Sequence, residues 1–80
     1  MTLRLQPVRL ASGNDDSEAQ LVFAGNALVA VLTHLAEHHD GEAGRWFMEA
    51  WFGPGYVLNR PTFASLDKAQ DWILERLAEV

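Results

Sequence analysis

At 80 residues, 49% hydrophobic and 10% aromatic, the chain makes one domain and is too rich in large side chains for disorder. Six Lys and Arg against eleven Asp and Glu give a net charge of −5, which repels phosphate backbones and excludes nucleic acid as a default partner. The absence of cysteine excludes a disulfide framework and thiol chemistry.

Residues 2–10 read as a first strand, with Leu3 and Leu5 alternating with Thr2, Arg4 and Gln6. Pro7 has no N–H for a ladder bond, so this strand is expected at a sheet edge or to bulge there. The same stretch, "MTLRLQPVRL", lacks the apolar core of a signal peptide. Residues 11–19, "ASGNDDSEA", crowd Gly, Asn, Asp and Ser together, as a solvated loop does. A second strand is expected over 20–24, "QLVFA", followed by Gly25-Asn26. A Gly-Asn pair between apolar runs signals a hairpin, because Gly supplies the positive φ of a primed turn.

Residues 27–36, "ALVAVLTHLA", fit two frames. As a helix, Asn26 caps the start and Gly41 the end, with Leu28, Val31, Leu32 and Leu35 on one face. That helix has almost no polar side, and a small domain cannot bury a helix all round. As a strand, Val29, Val31 and Thr33 fall on one parity, where β-branched residues suit a pleated surface, and this frame is favoured. The uncharged run 21–36 is shorter than the ~20 residues of a spanning helix and is broken at Gly25-Asn26. A cytoplasmic protein with no membrane partner is the expectation.

Asp40-Gly41 places a turn within 37–44. Residues 45–52, "RWFMEAWF", form an aromatic strand that Gly53-Pro54-Gly55 ends, and 56–63 connect onward. The last element, about 65–79, is a helix capped by Ser65, with Asp67 in its first turn. Leu66, Ala69, Ile73, Leu77 and Val80 recur at helical spacing and are expected to face the sheet. The fold expected is α+β: an antiparallel sheet of about four strands in meander order, with one C-terminal helix on one face.

One helix covers one face of a small antiparallel sheet. Strict alternation puts Trp46, Met48, Ala50 and Phe52 on one side of the aromatic strand, and Phe47, Glu49 and Trp51 on the other. Two strands thus ask for cover that residues 11–19 or 53–63, a ligand or a partner must provide. Phe47, Glu49, Trp51 and Tyr56 are the candidate binding or interface residues, and a buried Glu49 would call for Arg45 or Arg60.

"HLAEHHD", residues 34–40, holds all three histidines and spells His-x-x-Glu-His. His34 and His38 share a metal only on a helix; on a strand they start ~13 Å apart. The plain reading is a polar turn, with His34, His38 and His39 as metal ligands only in the helical alternative. Gly53-Pro54-Gly55 has neither the helix N-terminus nor the Lys of a phosphate loop. Ser12, Ser17 and Ser65 have no His in a triad frame, and no catalytic carboxylate pair stands out.

The stretches "ALVAVL", "GRWFMEAWFGP" (44–54) and "FASLDKAQDWI" (63–73) resemble small uncharacterised bacterial proteins built as a β-meander with a C-terminal helix. The resemblance spans about residues 20–78 and implies the fold and no activity. The function expected is a non-catalytic interaction protein without cofactor, homodimerising through the aromatic sheet face or binding another protein there. The alternatives are a small-molecule binding module on that face and a metal-dependent hydrolase built on His34, Glu37 and His38.

Overall fold

A computed structural model describes residues 2–11, 18–35, 44–55, 57 and 59–78. Five strands and one helix follow in chain order: β1 (Leu3–Arg9), β2 (Glu18–Ala24), β3 (Ala27–His34), β4 (Trp46–Trp51), β5 (Thr62–Phe63) and α1 (Leu66–Ala78). The sheet order is β1-β2-β3-β4-β5 and every neighbouring pair is antiparallel. This is the expected α+β meander, with Thr62–Phe63 added as a short fifth strand. Residues 27–34 are a strand, so the helical frame for that segment is set aside.

Gly25 and Asn26 make the two-residue turn between β2 and β3, with Ala24 paired to Ala27. Gly25 has φ +65° while Asn26 has negative φ, the pattern of a hairpin turn that needs Gly first. The pair flanking such a turn exchanges ladder bonds. Counting back along β2, Phe23, Leu21 and Ala19 aim their backbone groups at β1, where they meet Arg4, Gln6 and Val8. Leu3, Leu5, Pro7 and Arg9 therefore aim theirs at the free edge. The missing N–H of Pro7 falls where no neighbour strand needs it, and the register runs through Pro7 to Gln20 without a shift.

Two bulges interrupt the alternation of side chains. The register slips between Val22 and Phe23, leaving Val29 as an extra residue in β3. Val29 and Ala30 are both buried in the core. The register slips again between Val31 and Leu32, leaving Glu49 extra in β4. A bulge sets two residues against one and bends the strand. Met48 and Trp51 both point to the helix side, with Glu49 and Ala50 between them on the other.

The helix starts where the sequence places its cap: the Lys68 N–H donates to Ser65 Oγ at 3.2 Å. Ala69 and Ile73 are fully buried against Val22, Ala30, Leu32 and Met48, and Leu66 and Leu77 pack at the margin. Trp72 joins them, edge-on to Trp51 (5.3 Å between centroids) and to Phe63 (5.8 Å). Val80 lies outside the described residues.

After β4 the chain folds back over Trp51, whose Nε1–H donates to the Pro54 carbonyl at 3.2 Å. A Cβ on Gly53 would overlap the Trp51 indole. The flat indole and the missing side chain are thus one fitted pair. Gly53→Ala is expected to cost about 1–3 kcal/mol, the usual penalty of overpacking, read as a lower urea midpoint. An unchanged midpoint would show that the indole swings aside freely.

Candidate interaction surface

Residues paired across neighbouring strands share a face. On the face that carries α1 stand Leu3, Leu5, Val22, Ala30, Leu32, Met48, Trp51 and Phe63. The opposite face follows from the same register. One row runs Arg4, Phe23, Leu28. The next runs Gln6, Leu21, Val31, Ala50, and a third runs Val8, Ala19, Thr33, Phe47, Thr62. Phe52 continues the first row past the end of β4, its N–H donating to the Val29 carbonyl at 2.8 Å. Among the described residues, no helix and no second sheet lies on this face.

The face is not evenly open. At the Leu35 end, Ala19, Thr33 and Leu35 are buried. Toward the Gly25 turn, Leu21, Phe23, Leu28, Val31 and Ala50 are half-buried, and Phe52 is 62% exposed. Phe52 is the large apolar side chain that the described fold leaves in water. Arg4 lies over the Phe23 ring at 4.4 Å, a cation–π contact on the β1 rim.

The sequence-derived candidates divide between the two faces. Phe47 stands on the open face, opposite Thr33 and Thr62. Trp51 does not join it: the bulge at Glu49 inverts the parity and places Trp51 against Trp72. The alternation expected for β4 is corrected by that one extra residue. Glu49 is exposed and needs no buried partner. Arg60 stands by it, donating to the Glu49 carbonyl at 2.9 Å, with its guanidinium 4.0 Å from the carboxylate. Arg45 bonds Thr62 instead, at Oγ1 and at the carbonyl, both 3.2 Å. Tyr56 lies outside the described residues.

His34 ends β3, and Leu35 continues the ladder through bonds to Arg45 and Gly44. A helix bearing His34 and His38 one turn apart cannot begin on a segment held that way. His34 instead lies 3.5 Å from Glu18 and 4.6 Å from the Trp46 ring, on the helix side of the sheet. Glu37, His38 and His39 lie outside the described residues, and among the described ones no three His, Cys, Asp or Glu gather as for a metal. Among the described residues no helix is long and apolar enough to cross a membrane.

Two hollows lie among the described residues. One, of about 400 Å³, is a shallow dip lined by Pro7, Val8, Arg9 and Glu18. The other, of about 190 Å³, is lined by Trp51, Gly55, Val57 and Arg60. Ligand sites usually enclose about 300–1,000 Å³ with convergent polar groups. The first is open to water, and the second is small, with its guanidinium already held by Glu49.

Trp72 and Phe52 were the residues that sequence reasoning missed. Trp72 sits beside Ile73 on the helix, a signal for a wider apolar stripe.

The two faces predict opposite responses. Trp51→Ala is expected to cost about 2–4 kcal/mol of unfolding free energy, somewhat less than a fully buried Trp because Trp51 is half-buried, whereas Phe52→Ser stays within about 0.5 kcal/mol at low concentration. Equal losses would contradict this division. Thr33 is 2% exposed and its Oγ1 has no hydrogen-bond partner among the described residues. Thr33→Val removes that unpaired hydroxyl at nearly constant shape and is expected to raise stability by about 1 kcal/mol in urea melts.

No family model, no curated protein and no solved structure matches this chain.

Proposed function

We propose that the protein is a cytoplasmic, non-catalytic interaction protein that homodimerises through the sheet face opposite α1. The observation that carries this reading is the apolar field on that face, with Phe52 62% exposed at its margin. Leu21, Phe23, Leu28, Val31 and Ala50 complete the field, and Phe47 borders it. The field spans three strands at ~4.8 Å spacing and two to three rows of side chains, so each copy offers about 200–300 Å². Two copies then bury about 400–600 Å², below the standard size of specific interfaces, which points to a weak dimer. The acidic net charge argues against nucleic acid as the occupant.

Sedimentation from 1 to 100 micromolar tests the reading. A concentration-dependent dimer is expected for the natural chain. Phe52→Glu removes about 1.5–3 kcal/mol of burial from each copy, so its dimer weakens by a factor of about 100 or more while the fold persists. A folded natural chain that stays monomeric across this range would overturn the proposal.

A further inference from the structure

We infer that the free edge of β1, from Leu3 to Pro7, takes an extended peptide of another protein as an added antiparallel strand, with an acidic residue opposite Arg4. This contact uses the edge of the sheet and is separate from the self-association proposed above, which uses its face.

The backbone of β1 dictates what can sit there. β1 is an end strand of the sheet, and its register with β2 runs from Leu3 to Arg9 without a slip. The strand at the other end, β5, is only 2 residues long. Arg4, Gln6 and Val8 bond β2, so the N–H and C=O of Leu3 and of Leu5, and the C=O of Pro7, point away from the sheet. Among the described residues nothing bonds these groups of Leu3 and Leu5, and the Pro7 carbonyl takes only a 3.5 Å contact from the Gln6 side chain. Donors and acceptors repeating at ~6.8 Å along a strand match one kind of partner, another extended backbone.

A second copy of β1 is the poorer occupant. Two such strands pair antiparallel about a two-fold axis, so the residue at the centre fixes the register. The registers that pair both Leu3 and Leu5 with residues of the other β1 each carry a fault. Centred on Arg4, the ladder sets Arg4 against Arg4, like charges directly opposed. Centred on Leu5 or Gln6, it pairs Pro7 with Leu3 or Leu5, whose carbonyl then finds no N–H. A foreign strand escapes both faults. The residues opposite Leu3 and Leu5 exchange both bonds with them, and the ladder ends on the Pro7 carbonyl.

The side chains of β1 state what that strand carries. Leu3 and Leu5 are half-buried on the helix side, packed at the margin of the core. Paired residues share a face, so those opposite Leu3 and Leu5 extend the core and are apolar, best β-branched. The residue between them falls opposite Arg4 on the other face. Arg4 is exposed, with its guanidinium over the Phe23 ring. β1 holds Arg4 and Arg9 and no Asp or Glu, although the whole chain has a net charge of −5. A carboxylate is therefore the side chain that complements Arg4 there. The segment recognised alternates apolar, acidic, apolar, and Val-Glu-Val is its simplest form.

Amide NMR of the natural chain tests this with the synthetic peptide acetyl-Ser-Thr-Val-Glu-Val-Thr-Ser-amide in millimolar excess. The Leu3 and Leu5 amide protons are expected to move downfield and to exchange more slowly with water, while those of Leu28 and Val31 stay in place. Methylating the backbone nitrogen of the first Val, which lies opposite Leu5, is expected to weaken binding about tenfold or more. Replacing the peptide Glu by Lys is expected to weaken it about threefold at low salt, and Arg4→Glu to reverse that preference. Unmoved Leu3 and Leu5 amides would overturn the proposal. Shifts confined to Phe23, Leu28 and Val31 would also overturn it, by placing the peptide on the open face. Equal binding of the N-methylated peptide would overturn the backbone ladder, and equal binding of the Glu and Lys peptides would overturn the role of Arg4.

Discussion

Trp51 meets Trp72 edge-on, and through this contact the helix is fixed to the far side of the sheet. The indole is held again by its hydrogen bond to the Pro54 carbonyl and by the bare backbone of Gly53. An edge-to-face aromatic pair contributes about 0.5–1.5 kcal/mol beyond the area it buries. Its larger effect is directional. With Trp51 turned toward α1, the neighbouring Ala50 and Phe52 must turn away from it. The contact that completes the core also strips one rim of the opposite face of cover.

The two bulges make this division possible. In β3 the extra Val29 adds a buried residue beside Ala30, thickening the core under the helix. In β4 the extra Glu49 has the reverse effect, placing two residues in a row on the open side. Without it, strict alternation would send Trp51 to the open face and leave α1 without its partner. A thirteen-residue helix spans about 20 Å, roughly the width of four strands, so it has one face to serve and no reach beyond. The core therefore concentrates in Leu32, Met48 and Ile73, all fully buried.

Much of the fold was legible because its signals are local. The Gly25-Asn26 pair marks a turn by backbone sterics, and Ser65 marks a helix start by its hydroxyl. The strand nature of 27–34 was readable from β-branching and from the lack of a polar helical side. Pro7 announced an edge, and β1 is one. The side-chain parity of β4 was not legible. A bulge adds a residue without changing any residue type, so "WFMEAW" reads the same with or without it. What places the bulge is the tertiary demand of Trp72 and Gly53, residues far along the chain or outside the strand. The pairing of Glu49 with Arg60 was half visible, since Arg60 was one of two cations named for it. The reason differed: the bulge exposes Glu49, and Arg60 bonds its backbone as well as approaching its carboxylate.

The edge and the open face bear on assembly in opposite ways. A free edge propagates, because each added sheet exposes a new edge; a face closed by a two-fold does not. Pro7 obstructs the propagating contact, while the apolar field supplies the closing one. The two features are compatible in a small acidic chain whose core alone buries only about 60–65% of its unfolded surface. In the proposed dimer, Leu21, Phe23, Val31 and Phe52 would leave water without a second helix or a longer chain. Stability would then rise with protein concentration, since association acts on the folded state by mass action. The monomer is the less stable species in that scheme, and the face that looks unfinished in one copy is the second half of the core in two.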